Sequence, residues 1–203
     1  MNILLLGATG ATGKEILEQA LDAGHTLTVL VRNPTKLPSN QRGLRIIIGD
    51  ATDEEILHTA MTGNEMLIST LGSLNATVIT QSTKAIVAAA KKTNIKRVIM
   101  LSSFASKREQ LTRNAGVLTA MIMKKIISDK QAGEKLLRSS GLSWTIVYAS
   151  DLTNAREGSP IIVLAPQEKV GLKNRIARVN VAMWILAELH NSSYIDQDVI
   201  ISE

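Results

Sequence analysis

A short apolar run, Asn2-Ile3-Leu4-Leu5-Leu6, leads directly into Gly7-Ala8-Thr9-Gly10-Ala11-Thr12-Gly13, and an amphipathic segment, Lys14-Glu15-Ile16-Leu17-Glu18-Gln19-Ala20-Leu21, follows at once. Strand, glycine turn and helix in that order predict the opening of a dinucleotide site. Gly7 permits the tight turn. Gly10 carries no side chain, so a pyrophosphate can approach the backbone. Gly13 lets the helix lie close on the strand. The first turn of the helix then offers unpaired N–H groups and a partial positive charge to phosphate, and Thr9, Ala11 and Thr12 belong to the same turn.

The βα rhythm continues along the chain. Thr26–Val31, Leu44–Ile48, Met66–Thr70, Arg97–Leu101 and Leu142–Tyr148 read as strands, and Val199–Ile201 as a closing one. Helices are predicted over about 13–23, 54–61, 78–93, 116–140 and 178–190, with Gly24 as a stop and Asp53 as an N-cap. A chain of 203 residues with this alternation is expected to form one α/β domain, residues 1–203: a Rossmann-like, doubly wound parallel sheet with helices on both faces. The segments at about 104–128 and 149–175 are the substrate-side elements, and Pro160–Val170 reads as a hairpin or flap.

In such sheets ligands bind at strand C-termini, so the residues at those ends are the candidate site. Arg32 ends the second strand, where an acidic residue would bond the ribose 2′-hydroxyl of NAD and an arginine accommodates the 2′-phosphate of NADP. Val31-Arg32-Asn33-Pro34-Thr35-Lys36 holds no carboxylate, and Lys36 adds a second cation. The pattern predicts preference for NADP(H) over NAD(H). Asp50 and Ala51 follow the third strand at the adenine rim, Leu71 and Gly72 the fourth, and Ser102 and Ser103 the fifth. Leu118, Met121, Ile122, Lys125 and Ile126 lie at helical spacing and read as a core-facing stripe, with Met121 as a candidate pocket wall.

Four segments carry a resemblance: Gly7–Gly13; Val31–Pro38; Gly49-Asp50-Ala51-Thr52-Asp53; and Lys135–Leu142. They are similar to the atypical short-chain dehydrogenase/reductases, specifically the NAD(P)H-binding, NmrA-like group and its flavin reductase/biliverdin-IXβ reductase type. The resemblance implies that Gly10, Thr12 and Gly13 meet the pyrophosphate, and Arg32 and Lys36 the 2′-phosphate. It implies further that Asp50 and Ala51 line the adenine end, and that Leu71 and Gly72 lie towards the nicotinamide ribose. Ser103 falls beside the nicotinamide, with Ser102 next to it as a second catalytic candidate. The superfamily's Tyr-x-x-x-Lys pair is missing: Tyr148 is followed at +4 by Leu152, and Tyr194 by Asp198. Its absence suits an acceptor that needs little acid–base help, such as a free flavin. After the sixth strand, Asp151 stands at about the position of that reductase's histidine, on the substrate side.

The expected activity is therefore NADPH-dependent hydride transfer to a flavin or another conjugated small molecule. The alternative is a non-catalytic NADP(H)-binding sensor. A sugar-nucleotide epimerase is disfavoured by the missing pair and by the short chain beyond Tyr148. The absence of cysteine excludes disulfides and thiolate chemistry. His25, His58 and His190 share no ligand spacing, read as surface or cap residues, and imply no metal. The formal charge of +5 is assigned to cofactor and surface; with two Trp, two Tyr and one Phe there is little for bases to stack on, so nucleic acid is not an expected partner. No apolar run reaches the roughly 20 residues that span a bilayer, which predicts a cytoplasmic, soluble chain with no membrane partner. The sequence leaves the oligomeric state open.

Overall fold

The computed structural model describes residues 1–38, 41–72, 75, 77–103, 117–156, 158–164 and 174–203, without the side chains of 117–120. The chain runs β1 (Asn2–Leu6), α1 (Ala11–Asp22), β2 (Thr26–Val31), a 3-10 turn (Pro34–Lys36), β3 (Leu44–Ile48), α2 (Glu54–Met61), β4 (Met66–Ser69), α3 (Val78–Ala90) and β5 (Arg97–Ser103). It continues through α4 (Val117–Arg138), β6 (Ser143–Ala149), β7 (Asp151–Thr153), β8 (Ile162–Leu164), β9 (Arg175–Ala177), α5 (Arg178–Asn191) and β10 (Gln197–Ser202).

Ile3, Leu4, Leu5 and Leu6 are all 0% exposed, because β1 is covered on both faces. That is why its sequence is an unbroken apolar run and not an alternating one. Successive residues serve opposite layers: Ile3 and Leu5 pack with Ile16, Ala20, Val181 and Ile185 of α1 and α5. Leu4 and Leu6 pack with Leu57, Ala85, Ile86 and Leu137 of α2, α3 and α4. Among the described residues the main sheet has eight strands in the order β3-β2-β1-β4-β5-β6-β10-β8. Its pairings are parallel except for β8 against β10. The order reverses between β1 and β4, which opens a crevice at the C-terminal edge there. The expected doubly wound Rossmann-like architecture is the one observed.

Several expectations are corrected in detail. Of Pro160–Val170, which the sequence predicts as a hairpin or flap, the described part holds an antiparallel edge strand, Ile162–Leu164, beside β10, and 165–170 lie outside the described residues, so that reading is not decided. A short parallel pair, β7 with β9, joins Asp151–Thr153 to Arg175–Ala177; at three residues each these strands are too short to show a period. The expected core stripe of α4 does not hold at Met121 and Ile122, which are 56% and 49% exposed. Nor is His25 on the surface. It is 9% exposed, its ring centroid lies 5.3 Å from that of His190, and its Nδ1 lies 3.3 Å from the Met1 amine. The basic stretch around Lys107, Arg108 and Arg113 falls outside the described residues.

Candidate dinucleotide site

The glycine turn has the geometry its composition predicts. Gly7 sits at φ +85°, a conformation L side chains rarely adopt, and its N–H···O partner relation is closed by Gly10 N donating to Gly7 O at 2.9 Å. Gly13 is pressed against the same peptide: a Cβ there would run into the carbonyl of Gly7 and the Cα of Ala8, which are backbone atoms. Helix α1 therefore starts directly against the end of β1.

Helices α1, α2 and α3 begin at this edge of the sheet, and their N-termini are treated differently. In α2, Asp53 accepts from Glu55 N at 3.0 Å and Ile56 N at 3.1 Å. In α3, Ile79 N and Thr80 N each donate to the carboxylate of Asp129, reaching across from α4, at 2.9 Å. In α1, Gly10 is the N-cap, no side chain caps the first turn, and no acidic residue lies in it. The uncapped end faces the crevice, where its amides and dipole favour an anion.

The crevice has a volume of about 390 Å³. It is lined by Gly7, Thr9 and Gly10 after β1, Arg32 after β2, Asp50 after β3, and Leu71 and Gly72 after β4. Ala51 joins Asp50 there. Asp50 makes a local turn, its Oδ1 accepting from Thr52 N at 2.9 Å and Thr52 Oγ1 at 2.8 Å. Those two bonds hold its carboxyl below the usual aspartate range, and the charge of Arg32 adds to them. The exposed Arg32 is thus a cation in the crevice lining, close enough to Asp50 for its charge to be felt there.

Not every predicted residue converges here. Lys36 is exposed on the turn Pro34–Lys36 and does not line the crevice. Thr12 and Gly13 are buried behind it, where they shape the helix start. Ser103 closes β5 in register with Ala149 and is half-buried. Ser102 is placed differently from Ser103, as alternation along a strand requires: it is 6% exposed, and its hydroxyl donates to Glu134 Oε1 at 2.7 Å. Asp151 is exposed at the start of β7, its amide bonded to Asn174 O at 3.3 Å. Met121 lines an open groove of about 1070 Å³ between α3 and α4, with Ile122, Lys124, Lys125 and Gln81.

Sequence reading missed two residues. Lys130 and Glu134 of α4 wall a small cavity together with Ser102 and Leu71, and Leu71 also walls the crevice. Extending the spacing of 118, 121/122 and 125/126 by further turns reaches 129/130 and 133/134. Charged residues falling on the inward face of a helix were the available signal. Among the described residues no group of three or more potential metal ligands occurs, and no helix is long and apolar enough to cross a membrane.

A family model described as NAD(P)H-binding matches residues 7–192, from the first glycine to the end of α5. The chain belongs to this NAD(P)H-binding family. The photosystem II assembly factor Ycf39 of Cyanophora paradoxa is 28% identical over 203 residues, covering 97% of this chain and 56% of that protein. Eugenol synthase 1 of Petunia hybrida is 36% identical over 104 residues, covering 47% of this chain and 33% of that protein. This chain therefore spans about half the length, or less, of such curated relatives. A short-chain dehydrogenase/reductase from Veillonella parvula, solved in complex with NADP, superposes with a TM-score of 0.83 at 20% identity, covering 100% of this chain and 94% of that one. ChuY, an anaerobillin reductase from Escherichia coli O157:H7, gives a TM-score of 0.83 at 21% identity, covering 99% and 96%. These structural likenesses establish the fold. An NAD(P)H-binding, oxidoreductase-type fold with reductases among its relatives is the resulting description, and it agrees with the resemblance to atypical short-chain reductases.

The residues present fit a dinucleotide. The uncapped first turn of α1 offers donors, the glycines leave room against the backbone, and Arg32 supplies a guanidinium to the crevice lining.

Proposed function

We propose that this chain is an NADPH-dependent reductase that delivers hydride to a flavin or another conjugated small-molecule acceptor. The observation that carries the reading is the pairing, in one crevice, of the uncapped glycine turn with Arg32. The turn suits a diphosphate, and a guanidinium without a competing acidic residue on its strand suits a 2′-phosphate. A bound nicotinamide would supply the hydride. The chain's own work is to bind, orient and exclude water. Gly7, Gly10 and the amides of Ala11, Thr12 and Gly13 hold the diphosphate. Ser103, at the end of β5, orients the reactants.

The state of Tyr148 supports an acceptor that needs no tyrosine acid. It is 0% exposed and its hydroxyl donates to Glu134 Oε2 at 2.6 Å. Burial, then the bond to Glu134, push its ionisation far above the usual tyrosine range, so it stays neutral and inside. On this reading the acceptor side is formed by Ser103, Asp151 and Met121, nucleic acid and membranes are not partners, and the protein works in the cytoplasm.

A second reading, a non-catalytic NADP(H)-binding regulatory protein, is favoured by the likeness to a photosystem II assembly factor over nearly the whole chain. Loss of NADPH absorbance separates the two. With FMN, riboflavin and a quinone offered in turn, the reductase consumes NADPH in an acceptor-dependent manner. Tight NADPH binding with no consumption across that panel selects the regulatory protein, and failure to bind any dinucleotide removes both.

A further inference from the structure

Helix α3 does not use the cap its own sequence offers. Thr77 is its N-cap residue, yet the Thr77 side chain caps no amide, and its hydroxyl donates to Asn75 Oδ1 at 3.3 Å instead. An N-cap side chain ordinarily serves the amides of the second and third helical residues, which here are Ile79 and Thr80. Both donate to the carboxylate of Asp129 on α4, Ile79 N to Oδ2 and Thr80 N to Oδ1, each at 2.9 Å. The Thr80 hydroxyl adds a bond to the Asp129 carbonyl oxygen at 3.0 Å. Asp129 is 6% exposed, a depth at which a carboxylate needs such donors, and the positive end of a helix favours its charge. One turn further along α4, Gly133 lies close against the same part of α3: a Cβ on it would stand 2.9 Å from Ile79 Cγ2 and 3.1 Å from the Ile79 carbonyl oxygen. Asp129 and Gly133 thus hold the first turn of α3, and that turn supplies Val78 and Gln81 to the dinucleotide crevice.

We propose that Asp129 is a positioning residue that fixes the first turn of α3, and with it the Val78 and Gln81 wall of the dinucleotide crevice, relative to α4. What matters is where the cap comes from. Asp53 caps α2 from the residue just before that helix, so its two bonds steady α2 without tying it to another element. Asp129 caps α3 from a different helix, 50 positions along the chain from Ile79, so the same kind of bonds also sets where α3 stands. Asp129 is not among the residues lining the crevice and acts on it through α3. Asn75 and Gln81 line both the crevice and the α3–α4 groove that holds Met121, so the stretch Asp129 fixes is shared by the two. The effect on binding rests on the proposed dinucleotide occupancy of the crevice, whereas the tie between the helices does not.

NADPH titration of the folded full chain tests this, because charge and position predict opposite signs. Removing a carboxylate near a site for an anion tightens binding by charge alone; removing a positioning residue weakens it. Asp129→Ala is expected to weaken NADPH about tenfold, within what a misplacement of about 1 Å can cost. Adding Thr77→Asn, a good and neutral N-cap, restores most of the stability lost in urea unfolding but not the affinity, with Thr77→Asn alone as the reference. Affinity that is unchanged or tighter in Asp129→Ala, or that returns together with stability in the double variant, overturns the proposal. Asp129→Asn keeps the shape and an accepting oxygen and carries the test if the alanine variant does not fold: weaker NADPH binding than in the wild type supports the proposal, and equal or tighter binding overturns it. The chain has no cysteine, so spin labels on Lys14→Cys of α1 and Lys84→Cys of α3, both exposed, report the helix positions without any ligand. Their distance distribution shifts or broadens when Asp129→Ala is added, and an unchanged distribution overturns the proposal. If the wild type binds no dinucleotide, the reductase reading fails while the label distance still decides the role of Asp129.

Discussion

Replacing Gly13 by alanine is expected to cost about 2–3 kcal/mol of stability, the upper part of the overpacking range, and to weaken NADPH binding about tenfold or more, the equivalent of at least ~1.4 kcal/mol. The reason is local. The new methyl would meet the carbonyl of Gly7 and the Cα of Ala8, and neither is the end of a flexible side chain. Either α1 moves off β1 or the glycine turn opens, and both displace the amides that face the crevice. Gly72 is the internal comparison. It lines the same crevice, yet a Cβ there meets nothing within 4 Å, so Gly72→Ala is expected to leave stability close to wild type. Urea unfolding and NADPH titration of the two variants check this. Gly13→Ala with wild-type stability and affinity would show that the close approach of helix and turn is dispensable.

Removing Glu188 should cost more. Arg97 and Glu188 form an ion pair with side chains 6% and 3% exposed, Nη2 to Oε1 at 2.8 Å. Glu188 also accepts from Tyr194 N at 2.9 Å and Ser193 N at 3.1 Å, which fixes the turn after α5. Arg97 donates in addition to Thr145 Oγ1 at 2.6 Å, but its Nε and Nη1 have no hydrogen-bond partner. Glu188→Ala leaves a buried guanidinium with only the charge of Asp196 to offset its own. The expected loss is about 3–5 kcal/mol, as for other broken buried pairs. The pair sits at the start of β5, at the sheet end opposite the crevice, so the folded fraction should still bind NADPH with nearly wild-type affinity. Denaturant unfolding measures the first quantity and calorimetric titration below the unfolding midpoint the second. A loss under about 1 kcal/mol, the range of exposed pairs, would mean the arginine finds another partner or water.

The fold was legible because its central strands are buried on both faces and flanked by glycine and helix-cap signals. Ile3–Leu6 cannot be read any other way beside Gly7 and Gly13, and Asp53 announced α2 by its cap. What the sequence hid is what depends on tertiary contact. The pair β7 and β9 has three residues per strand, and its partner segments lie more than 20 residues apart. His25 looked like a surface residue because its burial is supplied by His190 from α5. Met121 and Ile122 keep helical spacing, but no described element covers them, so periodicity alone placed them inward incorrectly.

The site was legible to a similar depth. Gly7 and Gly10, Arg32, Asp50 and Leu71 come from four strand ends, and the parallel topology brings them to one edge. Lys36 was read together with Arg32 from spacing, but the turn at Pro34–Lys36 carries it off the crevice wall. Lys130 and Glu134 do not stand out in the sequence because charged residues on an amphipathic helix usually face water. Here Ser102 and Tyr148 supply the donors that let a carboxylate lie inside.

Equilibrium binding of NADPH and NADH to the wild type and to Arg32→Ala bears most directly on the cofactor assignment. The wild type should bind NADPH more tightly than NADH. Arg32→Ala should weaken NADPH by about 1–3 kcal/mol, the scale of charged hydrogen bonds, and leave NADH nearly unchanged. Equal losses for the two cofactors, or a wild type that binds neither, would contradict the assignment of this crevice to NADP(H).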